Sequence, residues 1–576
     1  MPQALSRRQF VAAGIKGAAV AAASNFMVCD SLAQGAATAN SKYTPVFADL
    51  DKFVEQYMRA MNSPGLTLVL ATREGVQRVT TYGFSDIETK VAVKPDELFQ
   101  IGSITKSFVT NCLLQLRQEG KLDLHKPIVE YLPWFRIDSS FAPITTHHLL
   151  THTSALPGIP SPFLSDPAAK HRAADPPGQF FHYNNTAFVV LGHLVWTLDG
   201  RALPEVIRKR VFEPLDMVHS EPAITLDMRP RTAKNYSAFQ NDRPYTRFGR
   251  LAEAPAIVLT EGAGSIAATA GDMGLYLQML ANKGVGPRGA LLSPESFELF
   301  STAHIKAEEF GPTASYGYGI AVDTLDGHKI LRHTGGAVSF MSAMHVDVDS
   351  GVGAFASINA MQGYRPNPVA QYAMQLMRAQ DEKTTSPAAP KLQPATRVEN
   401  ASSYAGVFKS ENGQQLEFAA DGDALFLVHG GKHTPLEGGD DSFNSGPGDF
   451  ERFSFMFSRA DKKDPQSPVV EVGWGHDWFI NEKYKGPRKF DYPQQWNDYV
   501  GHYRNENPWV GSMRIVVRKG KLLADGATPL EPGEGGIFHL RDEEHSPEWI
   551  QFGEAVNGKV MRLKFSGEDL WRVMAD

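Results

Sequence analysis

Cysteine is almost missing from this chain: two in 576 residues, Cys29 and Cys112. The first falls in an N-terminal segment expected to be removed, so the mature chain closes no internal disulfide. That excludes the disulfide-stapled class of exported domain. An excess of either charge is missing too. Lys plus Arg number 57 and Asp plus Glu 64, a formal net charge of −7. With no long basic run, nucleic acid is not an expected partner. After the N-terminal segment no apolar run approaches the roughly 20 residues that span a bilayer, so no stable membrane span is expected. Three catalytic signatures are also absent: the G-x-S-x-G nucleophile elbow, a Walker-type phosphate loop, and H-E-x-x-H. His148 and His152 stand four apart, but no glutamate between them supplies a base for zinc hydrolysis. Neither a metal nor a cofactor is expected.

What is present begins at residues 1–33. Ser6-Arg7-Arg8-Gln9-Phe10-Val11 precedes an Ala-rich apolar stretch ending at Val28, and Ser31-Leu32-Ala33 offers a small-residue cleavage site. Paired arginines before an apolar run predict a twin-arginine export signal, hence a periplasmic or secreted protein. Val28 precedes Cys29 where a lipidation signal needs a small residue. The twin-arginine route exports folded chains, in keeping with the missing disulfides. Residues 34 to about 42 are small and polar and read as a disordered lead-in.

At 576 residues the chain exceeds one core. Residues 43–379 alternate helical and strand-like patterns. Gly65 to Ala71 reads as a strand. From Ser103 to Gln118, Ile104, Phe108, Cys112 and Leu116 recur every fourth residue, predicting a helix stopped by Gly120. Residues 380–397, with Pro387, Pro390 and Pro394, read as an extended linker. Beyond it the pattern changes to short alternating aromatic strands, and it repeats. Tyr404-Ala405-Gly406-Val407-Phe408 is matched by Tyr499-Val500-Gly501-His502-Tyr503, Thr434-Pro435-Leu436 by Thr528-Pro529-Leu530, and Phe443 by Phe538. Two tandem antiparallel β domains follow from this, at 398–487 and 495–576. Closure into small barrels is expected because it removes exposed edges.

Three segments of the first domain carry chemistry. In Ser103-Ile104-Thr105-Lys106, a helix turns Ser103 and Lys106 to the same side. A serine hydroxyl becomes nucleophilic when a base takes its proton, and a lysine amine neutralised by burial is such a base. In Tyr183-Asn184-Asn185, the phenol can pass a proton and the Asn185 amide can hold both a substrate carbonyl and the lysine. In His333-Thr334-Gly335-Gly336, glycines let a ligand come close to the backbone of a strand. Singly, each pattern is as well explained by a capping serine, a packed tyrosine or a loop histidine.

In this order and spacing the three segments resemble the penicillin-recognising serine hydrolases: class C β-lactamases, D-alanyl-D-alanine carboxypeptidases, D-aminopeptidases and related esterases. Gly120-Lys121-Leu122-Asp123-Leu124, Leu149-Leu150-Thr151-His152-Thr153-Ser154, Phe212-Glu213-Pro214-Leu215-Asp216-Met217 and Ala263-Gly264-Ser265 extend the likeness over roughly residues 47–359. The resemblance implies an α/β fold, an antiparallel sheet flanked by helices with a helical lobe. It implies Ser103 as the acylated nucleophile and Lys106 and Tyr183 as the proton carriers. Asn185, His333, Thr334, Gly335 and Gly336 would bind substrate and the oxyanion, and His152 would be a buried scaffold residue. Two departures stand out. His333 replaces the lysine of the β-lactamase Lys-Thr-Gly, removing a permanent cation, and Ala155 occupies a turn position where the family has glycine. The reading that results is an exported hydrolase of a small peptide or amide, D-residues and non-ribosomal peptides included. A carboxylesterase of the same fold and a non-catalytic peptide or penicillin sensor are the alternatives. No oligomeric state is legible.

Overall fold

The computed structural model describes residues 34–37, 42–159, 161–164, 170–240, 242–361, 365–507, 509–540 and 545–574. The expected export signal lies outside the described residues.

An antiparallel sheet organises the first domain. Its main path runs Gln34–Ala37, Gly75–Asp86, Gly65–Thr72, Val352–Ile358, Phe340–Asp347, His328–Ala337, Ala321–Leu325, Ser315–Tyr316 and Ile305–Lys306. The three central strands, Gly65–Thr72, Val352–Ile358 and Phe340–Asp347, are buried along their whole length. Alternation splits their side chains between two cores. Leu66, Leu68 and Leu70 face the helices Thr44–Met61 and Asn367–Glu382, while Val69 and Ala71 face the helix Ala270–Ala281 and share a core with the helical lobe of Thr146–Leu150, Asn185–Asp199 and Leu203–Ile207. A sheet covered on both faces needs near-continuous apolar strands, and these are. The outer helix Thr44–Met61 buries Val46, Phe47, Leu50, Phe53, Val54, Tyr57 and Met58, one stripe at helical spacing.

The helix expected after Ser103 is present. A 3₁₀ turn, Gly102–Ile104, carries the serine, and the α-helix Thr105–Gln118 follows. Ile104, Phe108, Cys112 and Leu116 are all fully buried. This helix runs between the sheet and the lobe, which explains why apolar residues surround it rather than forming one stripe. The lead-in is a correction. Gln34–Ala37 is not disordered but pairs antiparallel with Arg78–Thr81, because a sheet edge recruits backbone whatever its side chains.

Both expected barrels are there, each closed by eight strands, within residues 406–480 and 501–572. The sequence repeat falls on equivalent strands. Leu436 and Leu530 point inward from the fourth strand of each barrel, and Phe443 and Phe538 from the fifth. Each barrel has a core of its own. One polar segment of the first domain holds both of them. Asp242 pairs with Arg514, Arg243 with Glu451 at 2.5 Å, and the Arg247 N–H donates to Glu437 at 2.7 Å. The linker is fastened as well: Arg247 also donates to the Gln393 carbonyl, and Leu392 packs on the first domain. Among the described residues no helix is long and apolar enough to cross a membrane.

Candidate active site

Ser103 sits on the 3₁₀ turn Gly102–Ile104 beside the His333–Gly336 strand, and that side of the site is set by close backbone packing. A Cβ on Gly335 would lie 1.8 Å from the Ile101 carbonyl oxygen and 3.2 Å from the Ser103 nitrogen. Only glycine lets the His333–Gly336 strand run that close beside the nucleophile's turn.

Lys106 is fully buried, and its Nζ has three partners: Ser103 Oγ at 3.0 Å, Asn185 Oδ1 at 2.8 Å and the Ala263 carbonyl at 2.9 Å. Burial drives its pKa well below the ordinary lysine value. A neutral amine has two N–H bonds and one lone pair. The amide and carbonyl oxygens can only accept, so they take the two hydrogens and leave the lone pair facing the Ser103 hydroxyl. That is a base aimed at a nucleophile.

Tyr183 and Asn185 flank a helix start. Asn184 caps the helix Asn185–Asp199 by accepting from the Ala187 N–H at 2.7 Å, and its amide donates to Leu156 O. The cap fixes the residues on either side of it. Burial raises the Tyr183 phenol above its ordinary pKa, with the neighbouring Ser103 hydroxyl opposing it, so it remains protonated. Lys106 Nζ lies 4.9 Å from the Tyr183 ring centre. His152 is buried with its Nδ1 accepting from the Asn184 N–H at 3.0 Å, and it is held neutral by burial. Its scaffold role is to hold this wall. Ala155 nearby has φ of +55°, the left-handed region that favours glycine; this explains the family's glycine at that turn, and nothing in the structure explains the alanine.

In the third segment His333 is buried and its pKa is driven down to about 3, chiefly by burial. Nδ1 faces the Thr334 carbonyl at 2.6 Å and Nε2 faces the Tyr316 hydroxyl at 2.9 Å. The carbonyl accepts only, so Nδ1 carries the hydrogen and Tyr316 donates to Nε2. His333 therefore supplies no cation near neutral pH. Arg365 does: its guanidinium donates to Thr334 Oγ1 at 2.7 Å and acts electrostatically on both His333 and Tyr183. Sequence reasoning missed Arg365, Tyr316 and the Ala263 carbonyl. Only the last had a signal, since Ala263-Gly264-Ser265 was part of the family likeness.

The three segments singled out from the sequence thus meet around Ser103 and Lys106. Their protonation predicts a pH profile. Acylation of Ser103 falls tenfold per unit as pH drops below the lowered Lys106 pKa. Tyr183 imposes no alkaline loss up to about pH 10, its ordinary value. A single-turnover pH–rate profile checks this; a rate that reaches its plateau only near the ordinary lysine value would refute the neutral amine.

The Beta-lactamase family profile matches residues 50–378. Bacillus subtilis PbpX, provisionally named a penicillin-binding protein, is 25% identical over 293 residues, covering 49% of this chain and 68% of its own. Protein flp of Staphylococcus aureus strain N315 is 28% identical over 188 residues, 30% of this chain and 37% of its own. The octameric penicillin-binding protein homologue from Pyrococcus abyssi superposes with a TM-score of 0.52 at 22% identity, over 76% of this chain and 100% of that one. This last likeness concerns the fold.

Proposed function

We propose, since the chain belongs to the Beta-lactamase family of serine hydrolases, that it cleaves a small peptide or amide through an acyl-enzyme on Ser103. The observation that carries the reading is the Lys106 lone pair directed at the Ser103 hydroxyl. The Ser103 proton passes to Lys106 as Oγ bonds to the substrate carbonyl carbon. The oxyanion rests on the Ser103 and Gly336 N–H groups. The proton then returns through Tyr183 to the leaving nitrogen, the C–N bond breaks, and water cleaves the ester left on Ser103. No cofactor enters this scheme.

Arg365 favours substrates that carry a carboxylate beside the scissile bond. It restores to the third wall the permanent cation that His333 lacks, which supports a carboxypeptidase-like reading. An esterase needs the same Ser103, Lys106 and Tyr183 but no such cation. Export through the twin-arginine route would put the activity in the periplasm or outside the cell.

The test is a screen of peptides, D- and L-aminoacyl amides and p-nitrophenyl esters, with Ser103→Ala as the blank. Turnover of amides with a free carboxylate, with a transient Ser103 adduct by mass spectrometry, is the expected result. Turnover of esters alone would replace the peptidase reading by the esterase one. A permanent adduct without turnover would make the protein a sensor.

A further inference from the structure

The Tyr183 wall has a support from far along the chain. Glu548, in the second barrel, is 7% exposed and reaches into the first domain. Its Oε1 accepts from the Gly158 N–H at 2.7 Å and lies 3.3 Å from His182 Nε2, while Ser566 donates to its other oxygen. Gly158 passes the contact on. Its carbonyl accepts from the Asn185 N–H at 3.0 Å and the Thr186 N–H at 3.3 Å, and Asn185 Oδ1 accepts from Lys106. The junction has no slack: a Cβ on Gly158 would lie 2.8 Å from the Tyr183 carbonyl oxygen. Around it, His545 stacks on Phe180 at 3.5 Å between ring centres, and Glu568 accepts from the Ser161 N–H at 2.8 Å.

We infer that Glu548 is a positioning residue: through Gly158 it sets the start of the Asn185–Asp199 helix, and so the place of Asn185 and Lys106 relative to Ser103. The inference rests on Ser103 being the acylated nucleophile. One residue, Gly158, separates the barrel carboxylate from the residue that holds the lysine; the Glu548–Gly158 bond is buried and the Lys106–Asn185 bond half-buried. A carboxylate acceptor makes stronger hydrogen bonds than a neutral one. A shift of about 1 Å at the reacting centre costs on the order of 10²-fold in rate. The second barrel is on this account part of the catalytic apparatus.

The full chain and three variants decide it, with p-nitrophenyl acetate as probe and the Ser103 adduct followed by mass spectrometry. Glu548→Asp withdraws the acceptor by one methylene while keeping charge and volume nearly unchanged. It is expected to lower the acylation rate constant by about 10²-fold with KM little altered. Glu548→Gln still accepts from Gly158 and restores most of the rate. Glu568→Asp, which withdraws the Ser161 contact by the same methylene but lies outside the relay, acylates like the wild type. Amide hydrogen exchange should quicken in Glu548→Asp over residues 157–159 and 182–187. A folded Glu548→Asp chain that acylates at the wild-type rate overturns the inference and leaves the Ser103 reading standing. A wild-type chain that forms no Ser103 adduct overturns both.

Discussion

Lys106→Met lowers the acylation of Ser103 by about 10³-fold, within the range that a positioned base contributes, and at the same time stabilises the fold near neutral pH. The first effect follows from losing the only basic lone pair at the hydroxyl. The second follows from linkage. The Lys106 pKa is lower folded than unfolded, so the unfolded chain binds more protons between the two values, and stability climbs with pH through that window. Below it, folding carries the full cost of burying the amine as its neutral form or as an ion. Methionine carries none and keeps the side-chain length. The melting temperature of Lys106→Met should therefore exceed the wild type's at pH 7, with the gap closing towards pH 10. A variant that is inactive and less stable across this range would mean that Lys106 is a structural cation rather than a base.

Tyr183→Phe gives the next largest loss, and its size depends on the leaving group. An amine must be protonated as it departs, and in the proposed mechanism Tyr183, held as a neutral phenol by burial, hands over that proton. On an amide the variant should lose about 10³-fold in kcat/KM. On a p-nitrophenyl ester, whose phenolate leaves without a proton, the loss should be roughly tenfold or less. Comparing kcat/KM for the two substrates in both proteins measures the ratio. Equal losses would assign Tyr183 to the attack step or to packing.

Much of this site was legible in the sequence because its parts are local. Ser103 and Lys106 share one helical turn, Tyr183 and Asn185 share one cap, and His333 to Gly336 share one strand. The repeat that announced two barrels is local in the same sense, since Leu436 and Leu530 recur at matching steps of a strand pattern. What escaped was set by tertiary packing. Arg365 meets Thr334 from a segment 31 positions away, and Glu548 meets Gly158 across 390 positions. Neither sits in a pattern that periodicity or a motif could detect. The protonation of His333 was legible only in part: its type marked a cation lost near neutral pH, but the fixed tautomer needed Tyr316, which nothing in the sequence tied to it. The lead-in strand Gln34–Ala37 escaped for a different reason, since it is held by backbone pairing that leaves no mark in side-chain composition.

The separate cores of the barrels bear on how such a protein can change over generations. Each barrel folds around its own apolar interior and meets the first domain through polar contacts at residues 242–247, to which the second barrel adds those at Gly158, Ser161 and His182. Substitutions on the barrel rim can therefore accumulate without unpacking either the sheet or the lobe. A lineage can retune how firmly the wall opposite Ser103 is held by altering an appended module, and leave the nucleophile and its base untouched.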